Sequence, residues 1–203
     1  MAEIPLTIER IDAFIPDDQG NLFFAEIGRI VTLWGAVDGS LDLALQSVNQ
    51  RSRNADLYTK LTSTQKRRRT ALKNWLLNDP TLEHVKEDGL TIIEAAAKIQ
   101  TDRDMFAHGR FLEFVGPSPP KIKFSKLTGA RNKGGRVLSY DLPRLRQISH
   151  DLEQLRRATL ALAIGATGDG SMPAPEIYDL ARTRFPANLD HLHALGRRSR
   201  GGY

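Results

Sequence analysis

The chain has 203 residues and a net charge of +5, with 40% hydrophobic and 26% charged residues, as expected for a folded protein of one or two domains. It contains no cysteine, which excludes disulfide frameworks, cysteine-ligated metal centres and thiol nucleophiles and fits a reducing compartment. No stretch approaches the roughly 20 apolar residues that span a bilayer, and the first ten residues carry acids rather than a basic signal-peptide region. We therefore expect a cytoplasmic protein.

The first predicted element is a long amphipathic helix over residues 19–49, where apolar side chains recur every three or four positions. Gly28, Gly35 and Gly39 lie inside it, although glycine is unfavourable in a helix by about 1 kcal/mol relative to alanine. Their spacing predicts that a neighbouring helix approaches closely at these positions. A second helix is predicted over residues 63–78, with serine or threonine as its N-cap.

The third helical segment covers residues 82–108 and ends at Gly109, a residue typical of helix C-termini. The pair Asp88 and Gly89 lies near its start. The pattern is compatible with one continuous helix or with two helices that separate at this pair, and the sequence leaves both possibilities open.

Beyond Gly109 the hydrophobic period changes from that of a helix to that of a strand. Short alternating runs at residues 111–115, 121–124 and 136–140 predict two or three β-strands of a hairpin. A last long helix is then predicted from Asp141, its N-cap, to about residue 165.

Together these elements predict a mainly α fold. Because each helix has one apolar stripe and the connections are short, we expect an antiparallel four-helix bundle over residues 1–168. The β excursion at about 110–140 would precede the last long helix. Residues 169–203 are expected to form a basic tail containing proline and glycine, with at most one short helix.

The basic residues are concentrated in two clusters. No acid lies between Glu113 and Asp141, and residues 66–69 are four consecutive cations. Such clusters are typical of surfaces that bind a phosphate backbone, whereas a solvated surface is the alternative for each. The candidate nucleic-acid-binding residues are Lys66, Arg67, Arg68, Arg69, Lys121, Lys123, Lys126, Arg131, Lys133 and Arg136.

Most catalytic signatures are absent from the sequence. It has no Walker loop, no G-x-G-x-x-G, no G-x-S-x-G and no H-E-x-x-H motif. His191 and His193 form an H-x-H pair beside Asp190, but a pair of this kind without further ligands is a weak indication of a metal site. We expect neither a metal nor another cofactor.

One segment, residues 102–109 (Asp-Arg-Asp-Met-Phe-Ala-His-Gly), resembles the R-x(4–6)-H motif of the HEPN superfamily of helical proteins. Arg103 continues the apolar stripe of its helix, so a cation projects towards a buried face. A polar residue, Asp104, follows it, and the Ala-His-Gly ending around His108 is similar to that of many bacterial members. Two further arginine–histidine pairs have similar spacing without this setting, namely Arg144 with His150 and Arg184 with His191.

The resemblance, which covers roughly residues 19–165, implies a metal-independent endoribonuclease of toxin–antitoxin or phage-defence type. Arg103 would hold the phosphate, His108 would transfer protons and Asp104 would orient one of them. The end of a helix favours a protonated histidine, which is a good general acid. Because one histidine cannot readily act as both acid and base, we expect a C2 homodimer with a composite site. An antitoxin or another protein is a further possible partner.

Regular helix geometry is an obstacle to this site. Residues five apart point about 140° away from each other, since each residue turns about 100°. Arg103 and His108 therefore converge only if the helix ends at His108 or if each meets a side chain of a partner. Asp38, on the first helix, could orient either one.

The alternative function is a non-catalytic dimerisation or binding module that recognises RNA, a nucleotide or a protein. Arg103 would then pair with an acid to connect two helices, since buried charges are usually paired, and His108 would only cap its helix.

Overall fold

The computed structural model describes residues 18–52, 64–115, 120–126, 136–167 and 174–197. Its helices are α1 (Asp18–Ser52), α2 (Gln65–Asn78), α3 (Lys86–His108), α4 (Leu142–Thr167), α5 (Ala174–Arg184) and α6 (Leu189–Arg197). Its strands, all between α3 and α4, are β1 (Arg110–Val115), β2 (Lys121–Lys126) and β3 (Arg136–Asp141). The prediction of a mainly helical protein with a short β insertion is confirmed. In the described ranges no helix combines the length and the apolarity needed to cross a bilayer.

The core forms where the apolar stripes of the long helices meet. α1 and α4 make the most extensive helix pair, and α3 packs against both as well as against α2. Trp34 of α1, Ile92 of α3 and Leu152 of α4 are each at most 1% exposed. Burial of such side chains stabilises the fold by about 1.5–3 kcal/mol each, which explains why the sequence keeps one apolar stripe on every long helix.

The expected close approach at the glycines of α1 is not present within the described chain. A Cβ added to Gly28, Gly35 or Gly39 would meet no described atom within 4 Å. These glycines lie on the solvent side of α1, away from the buried seam that contains Trp34. A glycine spacing shows that one side of a helix lacks side chains, but it does not show whether the chain itself covers that side.

The third helical segment divides before Asp88 and Gly89, not at them. A 3-10 helix over Pro80–Val85 precedes α3, which continues without a break through both residues to His108. Gly89 is buried, and a Cβ there would lie 2.7 Å from Cδ1 of Leu76. This glycine therefore permits α2 and α3 to pack closely and does not interrupt the helix.

The β excursion is a three-stranded antiparallel sheet in the order β1-β2-β3, which decides between two strands and three. It is attached to the C-terminal end of α3 by aromatic packing. The ring of Phe106 lies 5.5 Å from that of Phe124 on β2 and 4.7 Å from that of Tyr140 on β3, measured between centroids. The sheet therefore borders the position of His108.

The C-terminal region contains two helices, α5 and α6, where the sequence predicted at most one short helix. Tyr178 of α5 is 4% exposed and Leu192 of α6 is fully buried. The ring of Tyr178 packs so closely on α4 that a Cβ at Gly165 would lie 2.4 Å from its Cδ2. The prediction of at most one short helix was wrong. Helices of eleven and nine residues are marginal by themselves, and packing of α5 on α4 and of α6 on α3 stabilises them.

Candidate functional site

The C-terminal end of α3 brings together the three residues of the R-x4-H motif. Nη1 of Arg103 donates a hydrogen bond to Oδ1 of Asp104 at 3.0 Å and lies 3.3 Å from Nε2 of His108. The Arg103 side chain is 21% exposed, and His108 is exposed. A guanidinium and an imidazole therefore meet within one chain, at a site that solvent reaches.

The two side chains converge in the last two turns of α3, which ends at His108. Gly109 has extended backbone angles, φ −80° and ψ 156°, and its N–H closes the helix by donating to the carbonyl of Met105 at 2.8 Å. Asp104 and His108 are four residues apart and so lie on nearly the same side of the helix. The long Arg103 side chain reaches round to that side, where Asp104 holds its guanidinium.

Trp34 supports the guanidinium from α1. The Cζ of Arg103 lies 6.0 Å from the centroid of the Trp34 indole, and Trp34 itself is 1% exposed. This is the range in which a cation and an aromatic face attract each other. The contact agrees with the prediction that Arg103 continues the buried stripe of its helix. The Nε of Arg103 has no hydrogen-bond partner among the described residues.

Asp104 connects the motif to two other elements. Its Oδ2 lies 3.8 Å from Nζ of Lys126 on β2 and accepts a hydrogen bond from Nε2 of Gln100 at 3.4 Å. The same Gln100 amide nitrogen donates to Oε1 of Gln65, at the start of α2, at 3.2 Å. The sequence did not indicate Gln100 or Trp34 as residues of the site, although Gln100 lies one helical turn before Asp104.

Two of the predicted RNA-binding cations point into the molecule. Arg68 donates to Asp42 and lies 3.4 Å from Asp38, so Asp38 holds Arg68 and is not seen to orient Arg103 or His108. Arg69 donates to Oε1 of Gln100. Burial lowers the pKa of the Arg69 guanidinium, an effect that the nearby carboxylates of Asp38 and Asp104 oppose. Both arginines therefore attach α2 to its neighbouring helices.

The other candidate cations have different settings. Lys66, Arg67 and Lys121 are exposed, whereas Lys123 is 3.0 Å from Glu113. Lys126 lies beside Asp104, and the backbone of Arg136 pairs with that of Lys126 in the sheet. Arg131 and Lys133 lie outside the described residues. The structure thus brings one predicted cation, Lys126, into the motif itself.

The contact with Arg103 shows one way in which His108 can act. A guanidinium has only donors, so the 3.3 Å contact is a hydrogen bond in the tautomer whose Nε2 carries no proton. In that tautomer the imidazole can act as a base.

The remaining histidine pairs of the sequence have other roles. Nε2 of His191 lies 2.6 Å from the buried carboxylate of Asp151 on α4, whereas both ring nitrogens of His193 lie within 3.3 Å of the Thr91 hydroxyl on α3. The two histidines of the H-x-H pair therefore fix α6 to two different helices. In the described ranges no three histidine, aspartate or glutamate side chains cluster as metal ligands would. Of the further arginine–histidine pairs, Arg144 has its Nη2 atom 3.5 Å from Oδ2 of Asp102.

Comparison with protein-family models, curated proteins and solved structures finds no significant match. The geometry around Arg103 and His108 is therefore the observation that bears on function.

Proposed function

We propose that the protein is a metal-independent, HEPN-type endoribonuclease of toxin or defence type, with a composite site in a homodimer. The proposal includes an HEPN-like bundle formed by α1 to α4. The observation that carries it is the 3.3 Å separation of Arg103 Nη1 and His108 Nε2 at an exposed helix end. An arginine that only connected two helices would pair with an acid on another helix, whereas Arg103 pairs with its neighbour Asp104.

The chemistry that these groups can perform is an in-line transfer at phosphorus. The neutral His108 accepts the proton of a ribose 2′-hydroxyl, whose oxygen attacks the adjacent phosphorus while the bond to the 5′-oxygen breaks. The leaving oxygen takes a proton from an imidazolium. The products are a 2′,3′-cyclic phosphate and a free 5′-hydroxyl. Arg103 contacts the phosphate oxygens, where its planar fork stabilises the developing charge.

A second copy of the chain supplies the acid. His108 of one protomer is the base, and the same residue of the partner, protonated, is the acid. The outward side of α1 is suited to this contact because it is exposed, uncharged and poor in side-chain bulk. We call this surface the glycine face; it comprises Phe24, Gly28, Val31, Thr32, Gly35 and Gly39. Phe24 of this face packs on Phe111 of β1, the strand that follows His108, with ring centroids 6.0 Å apart.

The test compares His108→Ala with His150→Ala, which removes an exposed histidine of α4 that has no part in the proposed site. Purified protein is incubated with single-stranded RNA in EDTA. We expect His108→Ala to lower the rate at least 100-fold, as for loss of a general acid–base group, and His150→Ala to leave it unchanged. The new ends should be a cyclic phosphate and a 5′-hydroxyl. Equal activity of folded His108→Ala and wild type contradicts the proposal.

The alternative is a non-catalytic module that uses the same surface to bind RNA, a nucleotide or a protein. The observation in its favour is that Arg103 Nη1 already contacts both Asp104 and His108. Induced expression in bacteria separates the two functions. If wild type is toxic and His108→Ala is not, the nuclease is supported. If cells that express either protein grow as well as cells that express neither, the module is supported.

A further inference from the structure

A cavity of about 630 Å³ runs along one side of α2. The described residues that line it are Thr64, Lys66, Arg67, Thr70, Ala71, Asn74, Trp75 and Asn78. We call it the α2 groove. Its volume is within the range of about 300–1,000 Å³ that is typical of sites for small molecules and cofactors. It spans the full length of a 14-residue helix, about 21 Å, and is therefore suited to an extended ligand.

The charge of α2 favours an anionic occupant. The helix carries five cations and no acid between Gln65 and Asn78. The fold uses two of these cations, Arg68 and Arg69, to attach α2 to α1 and α3. Lys66 and Arg67 border the groove and are exposed. A polyanion in the groove would therefore meet positive charge without a nearby carboxylate of the same helix.

The groove also has the groups that recognise a nucleobase. Trp75 is half-buried, so its indole is anchored in the protein while part of it faces the groove. Nucleobases stack on such rings with about 1–3 kcal/mol per base. Asn74, one residue earlier, is exposed, and an asparagine amide can both donate to and accept from a base edge. An acidic protein would match the cations but would leave the indole and the amide unused.

The start of the groove is connected to the R-x4-H motif. Gln65, next to Lys66, accepts a hydrogen bond from Gln100, which also donates to Asp104. Asp104 holds Arg103 beside His108. These hydrogen bonds connect the first turn of α2, where the groove begins, with the C-terminal end of α3.

We propose that the α2 groove binds a single strand of RNA, with one unpaired base stacked on Trp75 and the backbone beside Lys66 and Arg67. The assignment of RNA, rather than single-stranded DNA, rests on the proposed function, because only RNA carries the 2′-hydroxyl that His108 would activate. The stacking and charge contacts themselves do not depend on cleavage.

The test uses a single-stranded 2′-O-methyl RNA of about 12 nucleotides, which is within the usual site size and cannot be cleaved. Binding is followed by tryptophan fluorescence, because the chain has two tryptophans and Trp34 is 1% exposed. We expect saturable quenching in the wild type and none in Trp75→Phe. Trp75→Ala should weaken binding roughly 5- to 150-fold, measured by anisotropy of a labelled strand. Thermal unfolding checks that each variant is folded.

A matched pair of charge variants separates the groove from general electrostatics. Lys66→Gln removes a lysine that lines the groove, and Lys73→Gln removes an exposed lysine of the same helix that does not. We expect the first to weaken binding about fivefold or more and the second by less than twofold. Asn74→Asp, which adds an acid to the groove, should also weaken binding. Heparin, a polyanion without bases, should not quench the fluorescence.

Three results would each overturn the inference. The first is absence of saturable quenching in the wild type, and the second is equal affinity of folded Trp75→Ala, Asn74→Asp and wild type. The third is equal effects of Lys66→Gln and Lys73→Gln, since binding would then follow overall charge. The outcome is distinguishable from failure of the proposed function. If RNA quenches the fluorescence of both wild type and His108→Ala but wild type does not cleave RNA, the nuclease alone is rejected. If wild type cleaves RNA and neither Trp75→Ala nor Asn74→Asp changes the rate, the groove alone is rejected.

Discussion

At the scale of single residues, the structure separates charges that serve the candidate site from charges that support the fold. Arg103 and Arg68 are both half-buried arginines beside carboxylates. Arg103 contacts a residue of its own helix and an exposed histidine, whereas Arg68 connects α2 to Asp38 and Asp42 of α1. The sequence showed that Arg68 lies in a run of four cations and that Arg103 continues the apolar stripe of its helix. It could not show which carboxylate each would meet, because that depends on how the helices pack.

Glu153 of α4 gives a prediction about pH. Hydrogen bonds from Arg156, with further help from Arg157, lower the pKa of its carboxyl from 4.5 to about 2, against the opposing effect of burial. Because the folded pKa lies below the unfolded one, the stabilisation is present above about pH 4.5 and is lost as pH falls towards 2.

Glu153→Gln should therefore lower the free energy of unfolding by about 1 kcal/mol at pH 7, since the side chain is 21% exposed and part of a surface network. Thermal unfolding at several pH values measures this. The difference between variant and wild type should shrink between pH 4.5 and 2. Glu94→Gln, which removes an exposed carboxylate of α3, is the control for the loss of one surface charge. A difference that stays constant across this range would contradict the assignment.

At the scale of helices and strands, the glycines show the limit of pattern reasoning. The three glycines whose spacing predicted a close helix contact face solvent. Close packing occurs instead at Gly89, where a break in the helix was possible, and at Gly165, near the predicted end of the last long helix. A missing side chain has the same effect on local helix propensity in both settings. Only the neighbouring element decides whether the space is used.

Gly165→Ala should destabilise the protein by about 1–3 kcal/mol, because the new Cβ would lie 2.4 Å from the rigid ring of Tyr178. Gly89→Ala should cost less, because its Cβ would meet the end of the Leu76 side chain, which can shift. Chemical denaturation of both variants measures the order. A result in which Gly165→Ala is as stable as wild type would show that α5 does not pack on α4 as described.

At the scale of the whole molecule, the proposed nuclease requires two chains. The glycine face is exposed and uncharged over about four turns of α1, an unusual surface for a helix that only contacts water. Its three glycines allow a second helix to approach closely. A second copy on this face is thus the assembly that we expect.

Gly35→Glu should convert the dimer to a monomer, because it places a charge at the centre of the glycine face. It should not destabilise the chain, since glycine is the less favourable helix residue and a Cβ there meets no described atom within 4 Å. Light scattering after gel filtration measures the mass, and RNA cleavage should fall with the loss of the dimer. Ala97→Glu, at an exposed position of α3, is the control. A wild-type monomer that cleaves RNA would contradict the composite site.

The sequence by itself determined the elements and the candidate pair. Hydrophobic periodicity is a local property, so the long helices, the change of period after Gly109 and the motif at Arg103 and His108 could be read along the chain. It also indicated that the pair could converge if α3 ended at His108, and Gly109 does end it there.

Only the tertiary structure decided which surfaces face each other. It directed Arg68 and Arg69 inward and left Lys66 and Arg67 on the α2 groove, it packed α5 and α6 against the core, and it placed Trp34 of α1 against Arg103. The physical reason is the same in each case. Pairing and burial depend on atoms that are distant along the chain, and their positions are fixed only when the helices pack.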